Sequence, residues 1–524
     1  MNAAPIQLLR SFATVGGWTM ASRVLGFIRD IMIAAFLGAG PVAEAFFVAF
    51  RLPNMFRRFF AEGAFNMAFV PLFAKKLEGD GAAVARQFAE EAMSALLTAL
   101  IVLTVIAQLA MPWFVLALAS GFDDDGKLDL AVTFSRVVFP YIVFISLAAL
   151  YSGILNSFGK FAAAAAAPVL LNVILIAVMA LASGLGWAVG PALSWGVFGA
   201  GIAQLGLLVW ATRRAGMTLT LRMPRLTPEV RRLVALGVPA ALAGGVMQIN
   251  LVVGTQVASY FDGAVSWLWY ADRVYQLPLG VVGVAIGVVL LPELSRRVRS
   301  GDAASARDAM NRAAEFCLAL TLPATVALIV VPGQITSVLF EHGAFTASDT
   351  AATAAALAIY AVGLPAFVLQ KVLQPAYFAR EDTRTPLRYA VVSMAVNLVI
   401  AVGGAPFAGY LAAAIGTTVA GWVNLTLLWR GVRQFGDAVT IDARLAASWP
   451  RILGASLAMG ILVLGLSELQ AAMLPGWRAV GLAVIVVVGA VAYAAAAVVF
   501  GAFRMSDIRA AMSRGKLNRS TSDQ

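Results

Sequence analysis

The nine residues "SRVLGFIRD", numbers 22–30, place two arginines and an aspartate in the middle of an apolar run that covers residues 12–37. A run of this length is long enough to cross the hydrocarbon core of a bilayer as a helix. A charged side chain at the bilayer centre costs about 2.5–3.5 kcal/mol on insertion scales, and such charges usually serve a function. The stretch therefore predicts a membrane helix whose charges, Arg23, Arg29 and Asp30, face a wet cavity or a partner.

The whole chain has the composition of a membrane protein. Of its 524 residues, 61% are hydrophobic and only 12% are charged, and the mean hydropathy is +0.86. A soluble protein of this length would carry roughly twice that charged fraction. Apolar runs long enough to span a bilayer recur at 8–37, 44–74, 88–116, 132–156, 162–184, 191–212, 232–260, 265–293, 312–334, 351–378, 388–405, 408–429, 448–470 and 477–503. These runs predict an all-α integral membrane protein with about fourteen transmembrane helices.

Several site classes are excluded by residue counts. The first apolar run is too long for a cleaved signal peptide and lacks a small-residue cleavage site. One cysteine, Cys317, and one histidine, His342, allow neither a disulfide within the chain nor a thiolate or imidazole metal cluster. We expect Cys317 to be a small apolar helix residue. We expect His342 to be a solvated loop residue, with a pH-sensing role as the alternative.

Basic residues alternate from loop to loop, and the net charge is +11. Basic loops lie near 75–86, 160, 213–232, 296–307, 380–388 and 430–444, and the tail adds basic residues between 504 and 519. The intervening loops carry few, chiefly Lys127 and Arg478, and several are acidic, such as "DDDGKLD". The positive-inside rule predicts a multi-pass membrane protein with both termini in the cytoplasm. The basic tail is then a lipid-surface contact, and no nucleic-acid partner is expected.

The chain contains an internal repeat. The stretch "VPLFAKKLEGDGAAVARQFAEEAMSALL" from Val70 is echoed by "LPELSRRVRSGDAASARDAMNRAAEFCLAL" from Leu291, about 220 residues later. The stretch "LLNVILIAV" (170–178) is echoed by "MAVNLVIAV" (394–402) at a similar offset. Two matches in the same order predict a duplication with an even number of helices per copy, which gives parallel repeats, as in some secondary transporters.

The repeat divides the chain into three predicted segments. Residues 1–225 form an N-lobe of predicted spans 1–6, and residues 226–440 form a C-lobe of spans 7–12. Residues 441–524 contain spans 13 and 14 and the basic cytoplasmic tail. Two lobes that enclose a central site form the architecture that alternating access uses.

Charges also cluster in the second predicted span. We expect the helix to break at Pro53, because proline removes a backbone donor and disfavours helix at the preceding residue. The charged residues around this position are Glu44, Arg51, Arg57, Arg58 and Glu62. Arg58 and Glu62 have the spacing of an i,i+4 ion pair. Two interpretations stay open: an interfacial ion-pair network that fixes the bend, or the lining of a functional cavity.

The predicted C-lobe carries fewer intramembrane charges. "WLWYADRVYQLPLG" contains Asp272 and Arg273, and "FVLQKVLQPAYFARED" contains Lys371. Lys371 either snorkels to the interface or faces the cavity. Asp30 either neutralises a neighbouring arginine or couples a proton or ion. Arg23, Arg29 and Arg273 lie well inside their spans and are expected to line a cavity.

The sign of these charges indicates the substrate class. The inferred cavity holds more arginine and lysine than aspartate and glutamate, which suits an anionic substrate. Guanidinium groups bind phosphate oxygens in bidentate geometry and stay charged at any accessible pH. The charges of the first span are therefore expected to receive a phosphate-bearing head group during transport.

Three stretches resemble one known family closely: "SRVLGFIRD", "AFFVAFRLPNMFRRFFAEGAFNMAFVPLFA" and "SWLWYADRVYQLPLGVVGVAIGVVLLPELS". The chain resembles, over nearly its whole length, the lipid II flippase family MurJ (MviN) of the multidrug, oligosaccharidyl-lipid and polysaccharide exporter superfamily. The resemblance implies two six-helix lobes with two additional helices. It also implies transport of lipid II, a peptidoglycan precursor, from the cytoplasmic to the periplasmic leaflet, with roles in cell wall biogenesis and cell shape.

The resemblance also implies site residues. Together with Asp30, the candidate substrate-binding residues are Arg23, Arg29, Glu44, Arg57, Arg58, Glu62, Arg273 and Lys371. The chain departs from the family at Glu44, where aspartate is common, and at Gln276, where some relatives have glutamate. Some relatives bind sodium in the second lobe, but this sequence offers no acidic cluster for it. No metal site and no cofactor are therefore expected, and coupling to a membrane potential or a cation stays open.

The expected partners are lipid II, an undecaprenyl-pyrophosphate-linked sugar-pentapeptide, the membrane lipids and the peptidoglycan synthesis machinery. In the predicted mechanism, Arg23, Arg29 and Arg273 hold the pyrophosphate while the polyprenyl tail stays in lipid, and spans 13 and 14 help to form a tail groove. Three alternatives remain: a multidrug exporter with cavity carboxylates for organic cations, an intramembrane enzyme acting on polyprenyl phosphates, and a scaffold for envelope assembly. The enzyme would need a metal cluster or a nucleophile with a base, which the spans do not offer.

Overall fold

The computed structural model of the chain describes residues 4–57, 66–122, 126–299 and 302–502. Eighteen α-helices are present in this part: α1 (Ala4–Leu37), α2 (Pro41–Arg57), α3 (Asn66–Gly79), α4 (Ala82–Leu109), α5 (Met111–Leu118), α6 (Lys127–Val138), α7 (Tyr141–Ser157), α8 (Ala162–Leu185), α9 (Val189–Arg214), α10 (Pro228–Ala258), α11 (Ala264–Arg299), α12 (Ala303–Val330), α13 (Pro332–Phe340), α14 (Ala347–Phe378), α15 (Arg384–Ala408), α16 (Leu411–Val432), α17 (Ala443–Met473) and α18 (Arg478–Val499). Every regular element in the described ranges is helical, so the predicted all-α class is confirmed.

Ten helical stretches in the described ranges are long and apolar enough to cross a membrane. In lipid, a helix satisfies its backbone hydrogen bonds within one segment, which explains why apolar runs in this sequence become helices. Each of the fourteen predicted runs coincides with one or two helices. The predicted number of fourteen transmembrane helices itself stays a prediction.

The chain forms two compact units. The first consists of residues Met1–Ser266 with Phe340–Asp349, and the second of Trp267–Leu339 with Thr350–Gln524. The predicted segments 1–225, 226–440 and 441–524 were defined by the sequence repeat, which the division into compact units does not test. They stay a prediction.

An aromatic core joins α3, α4 and α7 within the first unit. The ring of Phe69 stacks on those of Phe73 and Phe88 at centroid distances of 5.5 and 5.6 Å. Ile154 and Leu155 of α7 are buried in the same cluster. Offset aromatic pairs add to the burial of apolar surface, so these helices have a fixed relative position.

The expected break at Pro53 is wrong, because α2 continues through this residue to Arg57. Proline within a helix removes one backbone donor and crowds the carbonyl one turn earlier. The amide Nδ2 of Asn54 lies 2.7 Å from the carbonyl oxygen of Phe50 and donates a hydrogen bond to it. This bond lies in the turn that contains Pro53 but does not replace the backbone bond that proline removes; membrane helices tolerate such a loss because their other backbone bonds stay within the segment.

The helices repeat at the spacing predicted from the sequence. Helices α4 and α12 both contain 28 residues and begin 221 residues apart. In the first unit, the backbone N and Oγ1 of Thr220 donate to Oε1 of Glu90 at 3.0 and 2.9 Å, across 130 residues. In the second unit, Arg312 donates to Asp442, also across 130 residues. In the first unit, the segment after α9 thus binds to a carboxylate on α4. In the second unit, the segment after α16 binds to a guanidinium on α12.

In the second unit, α12 packs against α17 and α18. The hydroxyl of Tyr493 donates to the carbonyl oxygen of Ala319 at 2.7 Å. Val326 and Met459 are buried in a shared apolar cluster with Ile485. The last two helices are therefore integral to the core of this unit.

Candidate functional site

The charges of "SRVLGFIRD" form a buried site in the first unit. Nε and Nη2 of Arg29 donate to Oδ1 of Asp30 at 3.1 and 2.8 Å. Both residues are buried, with 6% of Arg29 and 1% of Asp30 exposed. The prediction that Asp30 neutralises a neighbouring arginine is confirmed.

A third residue completes this site from another helix. Nη1 of Arg29 donates to Oδ1 of Asn172 on α8 at 3.0 Å. The amide Nδ2 of Asn172 in turn donates to the carbonyl oxygen of Ser22 at 2.9 Å. The guanidinium carbon of Arg29 also lies 5.6 Å from the ring centroid of Phe50. Donors on three guanidinium nitrogens are thus used inside the first unit, and Asn172 joins α8 to two turns of α1.

Arg23 has a different environment. Its side chain is exposed and lines a cleft of about 430 Å³ between α1, the end of α7 and the start of α8. Ser22, Asn156 and Phe161 line the same cleft. Arg23 and Asp30 lie seven residues apart on α1, so the helix passes from an open cleft to a closed contact within two turns.

A second buried charge network contains Glu44 at the start of α2. Glu44 is 1% exposed, and its Oε2 lies 3.4 Å from Nζ of Lys127. The backbone N of Val265, in the first turn of α11, donates to Oε1 of Glu44 at 3.1 Å. Nζ of Lys127 also contacts Asp262, whose side chain is exposed. Glu44 therefore satisfies an open N–H at a helix start, where a carboxylate is favoured, and is charge-balanced by Lys127.

Two predicted residues of the second span, Arg58 and Glu62, lie outside the described residues. Arg57 ends α2 and is partly buried, as is Arg51 one and a half turns earlier. The choice between an interfacial ion-pair network and a cavity lining therefore stays open for this group.

The remaining predicted residues belong to the second unit. The guanidinium of Arg273 lies over the ring of Trp269 at 4.5 Å from its centroid. The amide of Gln276 donates to Asp272, one turn earlier on α11. Lys371 is partly buried on α14. The roles of Arg273 and Lys371 as joint ligands with Arg23 and Arg29 stay predictions.

Sequence reasoning missed two residues of these networks. Asn172 lies within the repeat motif "LLNVILIAV", and a lone amide in an apolar span is a signal that a polar partner is near. Lys127 lies in the acidic loop sequence "DDDGKLD", and a lone lysine there was predicted to be a loop charge. It is buried instead, with 5% of the residue exposed, because Glu44 requires a cation.

The two residues considered for thiol or imidazole chemistry have ordinary environments. Cys317 is fully buried in α12, as predicted for a small apolar residue. His342 is exposed in the loop after α13, as predicted, and the pH-sensing alternative stays open. Among the residues that the structure describes, no three or more His, Cys, Asp and Glu side chains are grouped in a way that holds a metal ion.

Comparison with known proteins identifies the family. The family model described as "Lipid II flippase MurJ" matches residues 33–503. The chain is 48% identical over 526 residues to a "Probable lipid II flippase MurJ" of Rhizobium meliloti (strain 1021), with 97% of each chain covered. It is 36% identical over 437 residues to the "Lipid II flippase MurJ" of Burkholderia cenocepacia, with 82% of this chain and 85% of the relative covered.

Solved structures share the fold. The structure titled "Lipid II flippase MurJ, inward closed conformation" superposes with a TM-score of 0.79 at 24% identity, and covers 93% of this chain and 98% of that chain. An inward-facing multidrug resistance MATE family transporter superposes with a TM-score of 0.68 at 15% identity, and covers 81% of this chain and 98% of that chain. These likenesses show the transporter fold of a multi-pass membrane protein. The family match and the identity over almost the full length establish that the chain belongs to the MurJ lipid II flippase family.

Proposed function

We propose that this protein moves lipid II from the cytoplasmic to the periplasmic leaflet of the inner membrane by alternating access. The family is one of transporters rather than enzymes, and the fold is that of a transporter. Within this chain, the main support for the proposal is the buried arginine of α1. Arg29 is almost fully buried in α1, which the sequence predicts to cross the membrane, and intramembrane cations usually lie on substrate pathways.

The head group of lipid II carries a pyrophosphate, whose oxygens guanidinium groups bind in bidentate geometry. We propose that Arg23, Arg29 and Arg273 hold this pyrophosphate, with Glu44, Arg57, Arg58, Glu62 and Lys371 lining its route. The polyprenyl tail remains in the bilayer, because it is apolar throughout. The head group passes between two lobes, since it cannot cross hydrocarbon unaided.

The geometry of Arg29 gives this proposal a specific step. The edge of its guanidinium formed by Nε and Nη2 faces Oδ1 of Asp30, and this is the edge that would bind one phosphate in bidentate fashion. We propose that a phosphate oxygen replaces Oδ1 of Asp30 on that edge. The hydrogen bond from Nη1 to Asn172 keeps the plane of the guanidinium oriented during this exchange. Arg29 is thus held ready and neutralised until the substrate arrives.

The energy source is part of the proposal. Binding of a pyrophosphate adds negative charge to a site that carries excess positive charge. Moving one charge through 100 mV changes its energy by about 2.3 kcal/mol, so the membrane potential can bias the transport step. A cation that balances Asp30 during the exchange is the alternative coupling partner.

The orientation follows from the charged loops. We propose that both termini are cytoplasmic, that α17 and α18 contribute to a groove for the tail, and that the peptidoglycan synthesis machinery receives the product. A reporter fused after Asp125 is expected to be periplasmic, and one fused after Arg225 cytoplasmic. The same location for both reporters would contradict this orientation.

Export of organic cations is the less favoured function. It requires carboxylates that can face a cationic drug. Asp30 and Glu44, two buried carboxylates of the first unit, are already bound to Arg29 and Lys127. The decisive experiment uses purified protein in liposomes and follows the movement of labelled lipid II across the bilayer. Movement of a cationic dye without movement of lipid II would exclude the flippase and support the exporter.

A further inference from the structure

A second cleft opens at the end of the first unit that holds the start of α8. We call it the outer cleft; its volume is about 520 Å³. Its walls come from α1, the ends of α7 and α9 and the start of α8, and the lining includes Lys160, Phe161, Trp210 and Arg214. Of the residues that line it, Phe161 also lines the cleft of Arg23, and none is a candidate ligand of the transported head group. In the proposed orientation this end of the unit faces the cytoplasm.

The outer cleft carries two cations without a counter-charge. Lys160 and Arg214 are exposed on its wall, and its lining contains no acidic side chain. Neither of them forms an ion pair with any residue in the described ranges. Other cations at this end do: Lys76 lies 3.6 Å from Glu229, and Nε of Arg222 lies 2.6 Å from Glu90. The positive charge of the cleft is therefore available to a ligand.

Trp210 positions one of these cations. The guanidinium of Arg214 lies 5.5 Å from the ring centroid of Trp210, within the range of a cation–π contact. Stacking on a ring leaves the N–H groups at the edge of the guanidinium able to donate to a phosphate. The indole itself is 56% exposed, and exposed tryptophans of membrane proteins concentrate at the level of lipid head groups.

The rest of the lining is apolar. Leu155, Ala163 and Ala211 form part of the wall. The volume lies within the range of about 300–1,000 Å³ that is typical of ligand pockets, which is more than a free phosphate ion fills. A ligand that matches both the charge and the apolar wall has a phosphate at one end and a hydrocarbon portion at the other.

We propose that the outer cleft binds the phosphate head group of an anionic lipid of the cytoplasmic leaflet, with Lys160 and Arg214 on the phosphate. Basic pockets between helices at this membrane face bind anionic lipid head groups in other proteins. The proposal rests on the proposed orientation, but not on transport. Two lipids share the required chemistry: a resident anionic phospholipid and a polyprenyl pyrophosphate. The outer cleft meets the cleft of Arg23 at Phe161, so either source reaches it from the bilayer.

The test measures lipid binding to the purified full-length protein by native mass spectrometry in detergent. The probes are phosphatidylglycerol, undecaprenyl pyrophosphate and, as a neutral control, phosphatidylcholine. The double variant K160A/R214A removes the two cations of the cleft. The matched control R231A/R232A removes two exposed arginines that lie outside its lining at the start of α10.

We expect K160A/R214A to weaken binding of at least one anionic probe by about tenfold or more, because each basic residue near a membrane surface adds measurably to anionic lipid affinity. The control pair is expected to change it by less than about twofold. The probe that is affected identifies the source, phospholipid or polyprenyl pyrophosphate. Equal losses in both double variants, or no loss in K160A/R214A, would overturn the proposal. Flipping activity is not the readout, so a failed transport assay leaves this result interpretable.

Discussion

Nη1 of Arg29 lies 3.0 Å from Oδ1 of Asn172, although the two residues are 143 positions apart in the sequence. The contact joins the charged motif of α1 to an amide in the middle of α8. It sets the plane of a guanidinium whose other edge is bound to Asp30. The pair shows how the first unit keeps an arginine buried and oriented within α1.

Substitution of Arg29 separates charge from geometry. Arg29→Lys keeps the positive charge, but one ammonium cannot reproduce donors from three nitrogens to Asp30 and Asn172. We expect this variant to insert normally and to transport about tenfold more slowly or worse, since charge-assisted hydrogen bonds contribute about 1.5–3 kcal/mol each. Arg29→Ala is expected to fail entirely. The measurement is complementation of a strain depleted of its own flippase, with membrane levels checked by blot. Normal growth with Arg29→Lys would show that only charge is required, and the bidentate phosphate contact would have to be dropped.

Asn172→Leu tests whether the orientation of Arg29 matters. Leucine has a similar volume, but it removes the acceptor for Arg29 and the donor to the carbonyl of Ser22. The ion pair of Arg29 with Asp30 remains. We expect normal membrane levels and transport of labelled lipid II reduced by roughly tenfold, in line with the loss of one charge-assisted hydrogen bond. Gln87→Leu, at an exposed amide that bonds only Glu91, is the control. Full transport by Asn172→Leu would exclude a positioning role.

Glu44 and Lys127 form a buried ion pair, and we expect their contributions to the stability of the first unit to be coupled. Lys127→Met leaves the carboxylate of Glu44 buried without its cation, which typically costs about 3–5 kcal/mol. Glu44→Gln keeps the acceptor for the backbone N of Val265 and is expected to cost less. The double variant should then be more stable than Lys127→Met alone. Thermal unfolding of the purified protein measures all four members of the cycle. Strictly additive effects would contradict the coupling.

The corresponding contacts of Glu90 in the first unit and Asp442 in the second can both be tested by substitution. Glu90→Ala removes the acceptor for Thr220 and the partner of Arg222, and it is expected to lower the stability by about 1–3 kcal/mol. The exposed Glu78→Ala is the control for loss of a carboxylate nearby. In the second unit, Asp442→Ala removes the partner of Arg312 and a helix cap for α17, and we expect a loss of similar size. Unfolding temperatures unchanged in both variants would show that the contacts contribute nothing.

The acid dependence of the contact between Arg312 and Asp442 follows from the pKa of Asp442. Burial raises the pKa of Asp442, but hydrogen bonds from the N–H of Leu445 and from Arg312 outweigh burial and place it below its ordinary range. A lowered pKa in the folded state means that the contribution of Asp442 is present at neutral pH and is lost as the pH falls through that lowered pKa. The stability difference between wild type and Asp442→Ala should therefore be constant above about pH 5 and shrink only in stronger acid.

A truncation tests the last two helices. A chain that ends after residue 440 lacks α17 and α18 and exposes the face of α12 that holds Val326. It also removes the partner of the Ala319 carbonyl, the hydroxyl of Tyr493. We expect this chain to insert in the membrane but to transport lipid II poorly. A chain that ends after residue 502 keeps both helices and should transport normally. Full activity of the shorter chain would exclude a required tail groove.

The sequence by itself determined the class, the helices and the family. In lipid every backbone group must be satisfied within the segment, so an apolar run of sufficient length is expected to be helical, and each predicted run contains helix in its described part. The repeat was visible because it is a pattern along the chain, as in the motifs near Val70 and Leu291. The pairing of Arg29 with Asp30 was also predictable, since a carboxylate inside an apolar run is expected to pair with a cation close to it in the same run.

Only the tertiary structure decided which distant groups meet. The choice of Asn172 for Arg29 and of Lys127 for Glu44 depends on which faces of apolar helices are in contact. Hydropathy does not encode that choice, because a helix face against lipid and one against another helix are equally apolar. The continuation of α2 through Pro53 to Arg57 was likewise decided by the fold and not by the local proline rule. Local rules fix where a membrane helix runs, whereas side-chain packing and paired charges between helices fix what its buried polar groups contact.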